Sequence, residues 1–167
     1  DRLAKQGYEH DITYNIHARY YLPCTADRSK DTLDLLNEMI LIRQFNKTVK
    51  LTIKHKLYAP DGTILSQTNT DLAVESISAA DLFLRTLGYE KVMEITDEAV
   101  IMKKDGLGFV VEDVNNGTWL MLEIEENEHY PNIADLKQKL YESGLSYDDS
   151  DYFVKKAQLV YNGIRNQ

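Results

Sequence analysis

An α+β domain built on an antiparallel sheet is the fold class that this 167-residue sequence predicts. Three observations point to it. Apolar and polar residues alternate through the middle of the chain, Gly, Asn and Asp turn signals separate the alternating runs, and only a few stretches change to a helical period. No strand–helix–strand rhythm is present, which disfavours a doubly wound parallel sheet or a P-loop fold. The length suits one domain, 1–167, with enough chain to bury a core, and 43% hydrophobic with 28% charged residues is a globular composition.

The elements follow in order. Arg2 to Gln6 reads as the tail of a helix capped by Gly7, so an upstream segment is expected before Asp1. Met39 to Phe45 alternates, with Leu41, Arg43 and Phe45 on one face. Val49 to Tyr58 follows, with Leu51, Ile53, His55 and Leu57 in one row and Thr52, Lys54, Lys56 and Tyr58 in the other, because side chains two apart share a face. Pro60-Asp61-Gly62 predicts a turn, and Ile64 to Val74 alternates again. The period then changes: Ala79, Leu82, Phe83 and Leu87 predict a helix over 78–87, with Ser78 as N-cap and Gly88 at its end. Strands are predicted at Lys91 to Met102, Gly108 to Val114 and Trp119 to Glu126, joined by hairpins at Asp105-Gly106 and Asn115-Asn116-Gly117. Helices are predicted over 133–143 and 151–161.

Charge narrows the function classes. The formal net charge is −8, and Glu112 to Asp151 holds 11 acids against 2 bases. Such a balance argues against nucleic acid as partner, which needs a basic stripe. No apolar run approaches the ~20 residues of a membrane helix and no secretory segment opens the chain, so no membrane partner and a cytoplasmic location are expected. The single Cys24 makes neither a disulfide framework nor a cysteine zinc site, and His10, His17, His55 and His129 lack metal-ligand spacing.

Two sets of residues could carry chemistry. Glu123 and Glu125 lie two apart on one predicted strand, and Asp113, in the strand before, is expected to point the same way. Three converging carboxylates repel unless a cation lies among them, and hard oxygen donors suit Mg²⁺ or Mn²⁺. Arg43, Lys54 and Lys56 recur at positions that can share one sheet face, an arrangement suited to a polyanion.

The order of these residues resembles the CYTH superfamily, the triphosphate tunnel enzymes that include class IV adenylate cyclases and thiamine triphosphatases. Five segments between about Leu3 and Tyr161 carry the resemblance. Glu9-His10-Asp11-Ile12-Thr13-Tyr14 is similar to an early family strand, Met39 to Arg43 to the strand with a phosphate-binding Arg, and Leu51-Thr52-Ile53-Lys54 to "Leu-Thr-x-Lys". Leu84 to Tyr89 is similar to the end of the central helix. Val111-Glu112-Asp113-Val114 followed by Gly117, Trp119 and Leu122-Glu123-Ile124-Glu125 is similar to "Asp-x-Val…Gly-x-Phe-x-Glu-Ile-Glu". The family's opening Glu-x-Glu-x-Lys strand would fall upstream of Asp1. Gln67, Asn69 and Asp71 stand where an Arg and paired acids are expected, and Asp97 and Ala99 stand where the family has Lys and Arg.

The resemblance implies a curved antiparallel sheet closing into a β-barrel tunnel with flanking helices. It implies metal-dependent binding and hydrolysis of a small triphosphate, organic or inorganic, with Arg43, Lys54 and Lys56 on the phosphates and Asp113, Glu123 and Glu125 on Mg²⁺ or Mn²⁺. Hydrolysis is preferred to cyclisation because no purine-specific pocket can be read. A non-catalytic module that binds a phosphorylated ligand or partner and an adenylate cyclase-like enzyme are the alternatives. No catalytic residue is assigned, and a homodimer stays open beside a monomer.

Overall fold

A computed structural model describes residues 2–58, 64–117, 119–124 and 127–145; the side chains of Ile64, Trp119 and Ile133 are outside that description. The Pro60-Asp61-Gly62 turn, the helix expected over 151–161 and Glu125 therefore lie outside the described residues. The fold is α+β, with seven strands in the order β4-β3-β2-β1-β5-β6-β7. Its elements are α1 (Arg2–Lys5), β1 (Glu9–Pro23), α2 (Thr32–Glu38), β2 (Ile40–Phe45), β3 (Thr48–Tyr58), β4 (Ile64–Val74), α3 (Ile77–Thr86), β5 (Tyr89–Lys104), β6 (Leu107–Val114), β7 (Trp119–Ile124) and α4 (Ile133–Glu142). They fall into two compact units, one of residues 16–95 and one of residues 2–15 with 96–145.

In the unit of residues 16–95, the second half of β1 pairs antiparallel with β2, β2 with β3, and β3 with β4. The β2–β3 turn is two residues long, Phe45 facing Thr48, and Asn46 takes the positive φ of 52° that this tight reversal needs. Helix α3 begins at Ser76, whose hydroxyl accepts from Ala79 N–H, two residues before the cap that the sequence suggests. The earlier start puts Ile77 against the core. Tyr21, Ile42, Ala80 and Leu84 form that core, with Ile77, Val49, Leu51 and Val74 packed on it. The odd-numbered side of β3 thus meets α3, as its apolar row predicts. Leu57, at the end of that row, is 60% exposed and lies outside the packing.

In the other unit, β5 pairs antiparallel with β6 and β6 with β7. Lys104 faces Leu107 across Asp105 (φ 50°) and Gly106 (φ 78°), the two-residue hairpin that Asp-Gly predicts. The positive φ favours glycine, and a Cβ at Gly106 would also lie 3.1 Å from the His129 ring, which would have to give way. Asn132 caps α4 by accepting from Asp135 N–H at 2.9 Å. The core is Leu3 from α1, Leu107 and Phe109 from β6, and Leu136 from α4, with Val111, Leu122 and Ile124 packed against it. Both helices of this unit therefore cover the sheet side that carries Phe109 and Ile124.

Candidate functional site

Register decides which charged side chains meet. Residues directly opposite in an antiparallel ladder project to the same side, and so do residues two apart along a strand. Arg43 faces Lys50, Thr52 faces Asp71, Lys54 faces Asn69 and Lys56 faces Gln67. Arg43, Lys50, Thr52, Lys54 and Lys56 consequently share one sheet side with Gln67, Asn69 and Asp71. That side is opposite the one where Val49 and Leu51 meet α3. The structure brings Arg43, Lys54 and Lys56 to one side, and adds Lys50, one alternation step before Thr52.

The local chemistry fixes part of this row. Asp71 Oδ2 lies 3.0 Å from Lys50 Nζ, and its Oδ1 accepts from Thr52 Oγ1 at 2.8 Å. The Lys50 ammonium, the Thr52 hydroxyl and the charge of Arg43 hold the Asp71 carboxyl below its ordinary range. Thr52 is 1% exposed, so its hydroxyl is a fixed donor. Pairing of β2 with β3 reaches only to Ile40 opposite Ile53. Beyond that point Asn37, on α2, stands in for a strand: its Nδ2 donates to Lys56 O and its Oδ1 accepts from Lys56 N–H, both at 2.9 Å. The backbone that carries Lys56 is held by this amide. Sequence reasoning missed Asn37, because nothing in a lone Asn on a short helix announces a bond 19 residues away.

The carboxylates behave differently. Glu112 faces Met121, Asp113 faces Leu120 and Val110 faces Glu123. Asp113 therefore projects to the opposite side of the sheet from Glu123, and the convergence expected of Asp113 with Glu123 and Glu125 is corrected. The reason is parity. The four residues 115–118 between Val114 and Trp119 make facing positions sum to an odd number, so Glu123 shares its side with even-numbered residues of β6. The acid that accompanies Glu123 is Glu112, 5% exposed; Asp97, 6% exposed and facing Val114, also lies on that side. Asp113 instead accepts a hydrogen bond from Gly117 N–H and closes the hairpin, where Asn115, Asn116 and Gly117 all take positive φ. Glu125 lies outside the described residues. Asp113 and Glu123, on opposite sides of the sheet, cannot join in one Mg²⁺ or Mn²⁺ shell, and among the described residues no group of three or more His, Cys, Asp or Glu could hold a metal ion.

A second polar cluster sits on the α3 side of residues 16–95. Glu94 Oε1 lies 2.9 Å from Arg19 Nε and 2.5 Å from His17 Nε2, and Lys91 bonds its other oxygen. The Lys91 bond first, then those of His17 and Arg19, pull the Glu94 carboxyl down to about 2 against the opposing effect of burial. Tyr21 donates to Asp81 beside it, and burial followed by that bond pushes its hydroxyl up. Because the Glu94 carboxyl titrates lower folded than at its ordinary 4.5, its stabilisation is complete above that value and is lost as pH falls from there through about 2. Glu94→Gln is expected to lower the melting temperature at pH 7 and to flatten its fall between pH 5 and pH 2, measured by circular dichroism melts across that range.

Comparison with known proteins agrees at the level of fold. Neither a family model nor a sequence among curated proteins matches the chain. Solved structures do. A conserved hypothetical protein from Pyrococcus furiosus is similar at a TM-score of 0.60 and 19% identity, over 90% of this chain and 85% of that one. A protein from Vibrio parahaemolyticus named a "putative adenylate cyclase" is similar at 0.54 and 14% identity, over 94% and 88%. One of the same name from Bacillus halodurans is similar at 0.51 and 14% identity, over 86% and 82%. At such identities the likeness is one of fold. Among the described residues, no helix is long and apolar enough to cross a membrane.

Proposed function

We propose that the chain is a CYTH-like module that binds a small triphosphate, organic or inorganic, on the basic side of β2, β3 and β4, and that hydrolysis of this ligand is its reaction. One observation carries the reading. Arg43, Lys50, Lys54 and Lys56 share a sheet side with a single carboxylate, Asp71, on the three strands. Lys54 and Lys56 are two residues apart, a rise of about 6.6 Å along the strand, so two ammonium groups can engage successive parts of one short phosphate chain. Arg43 adds a planar donor fork suited to phosphate oxygens. Four cations on a chain of net charge −8 suit a compact polyanion better than a nucleic acid backbone.

A second reading, an adenylate cyclase-like enzyme, is favoured by the printed names of two neighbours of the same fold. One experiment separates the readings. The chain is incubated with inorganic, thiamine and nucleoside triphosphates, each with Mg²⁺, with Mn²⁺ and with chelator, and products are resolved. Orthophosphate release supports the triphosphatase. Pyrophosphate with a cyclic nucleotide supports the cyclase, and binding without turnover supports a non-catalytic phosphate-binding module. Absence of both binding and turnover contradicts the proposal.

A further inference from the structure

We infer that Asp71 is a built-in competitor of the ligand, a specificity-determining residue that occupies Lys50 and limits how highly charged an anion the basic side accepts. This rests on the triphosphate reading of that side. Among the described residues of β2, β3 and β4, Asp71 is the one acid that shares a side with Arg43, Lys50, Lys54 and Lys56. Its place is set by two bonds at once: Lys50 Nζ at 3.0 Å from one carboxylate oxygen, and Thr52 Oγ1 at 2.8 Å from the other. Thr52 is buried at the centre of the ladder, so the hydroxyl orients the carboxylate toward Lys50 rather than letting it turn to solvent.

The rest of the row sharpens the contrast. Along β4, the positions facing Lys54 and Lys56 are Asn69 and Gln67, neutral amides that can donate to phosphate oxygens as well as accept. The position facing Thr52 is an acid that can only accept. Along β4, one part of the side thus presents neutral amides and the other a carboxylate. A phosphate chain reaching Lys54 and Lys56 meets the amides of Asn69 and Gln67 across the ladder. A longer or more charged chain, extending toward Lys50 and Arg43, must displace a carboxylate and withstand its repulsion.

The ion pair is half exposed, with Lys50 and Asp71 side chains at 45% and 40% of full exposure, so the expected effect is moderate. The test is calorimetric titration of wild type, Asp71→Asn, Lys50→Ala and the double variant with inorganic pyrophosphate and tripolyphosphate, at low salt with chelator. Asp71→Asn keeps an oxygen that can accept from Thr52, and a melting curve checks its fold. Tripolyphosphate is expected to bind Asp71→Asn about three- to tenfold more tightly than wild type, and pyrophosphate to gain less. The gain should shrink when Lys50 is also alanine, because only the relief of repulsion then remains. A structural lesion would weaken binding, so a gain distinguishes competition from mere support of the fold. If wild type binds and Asp71→Asn binds no better, or if the gain is undiminished without Lys50, the inference is overturned and the triphosphate reading stands. If neither protein binds either anion, with chelator or with Mg²⁺ or Mn²⁺ added, the reading falls and the inference with it.

Discussion

Replacing Lys54 and Lys56 together by alanine is expected to weaken tripolyphosphate binding on the order of a hundredfold or more. Each lysine supplies a charge-assisted hydrogen bond of about 1.5–3 kcal/mol, so two of them are worth roughly 3–6 kcal/mol on one ligand. Both sit on the side of β3 away from the Val49–Leu51 contacts with α3, so the core is untouched. The melting temperature without ligand should therefore change little. Titration calorimetry reads the first quantity and a thermal melt the second. A large loss of binding with an unchanged melt places the ligand on this row. A variant that binds as wild type does removes β3 from the account.

Truncating Phe109 to alanine should produce the largest loss of stability from a single substitution. Phe109 is fully buried between Leu3, Leu107 and Leu136, and its ring meets Tyr8 edge to face with centroids 5.2 Å apart. Removing a buried phenyl group costs about 3–5 kcal/mol, because the lost transfer energy is joined by a cavity that the surroundings only partly fill. Against the usual ~5–15 kcal/mol of a whole domain this is a large share. Urea unfolding followed by circular dichroism should show the midpoint fall sharply. A change below about 1 kcal/mol would mean that α1, β6 and α4 do not share this core.

Much of the fold was legible because its signals are local. The period of Ala79, Leu82, Phe83 and Leu87 announces α3, and Asp105-Gly106 announces the β5–β6 hairpin; both elements are present. What failed to show lacked such a signal. Helix α2 has seven residues, and its one buried side chain, Leu35, gives no periodic stripe. The first five residues of β1 are all exposed, and that strand's start was legible through the family resemblance of Glu9 to Tyr14 rather than through alternation.

The candidate site divides along the same line. The row of Lys54 and Lys56 belongs to one strand, and a period of two suffices to align it. Lys50 lies one step further on that period and could have been read there. Whether Asp113 or Glu112 accompanies Glu123 depends on how many residues close a hairpin, and one residue more or less exchanges the faces of the whole strand. Buried Asp97 and Glu112 carried no sequence signal of burial, since acids are ordinarily exposed.

Binding of a small triphosphate to the side of β3 that carries Lys54 and Lys56 can be read residue by residue. Its most direct test is a titration of the isotopically labelled protein with tripolyphosphate, following the side-chain resonances of lysine, arginine and histidine. Arg43, Lys50, Lys54 and Lys56 are expected to shift together and saturate with a common dissociation constant, while the ring of His55, on the opposite row of the same strand, stays still. Saturating shifts at His55, or at Lys103 and Lys104 of β5 with the four cations unmoved, would contradict it.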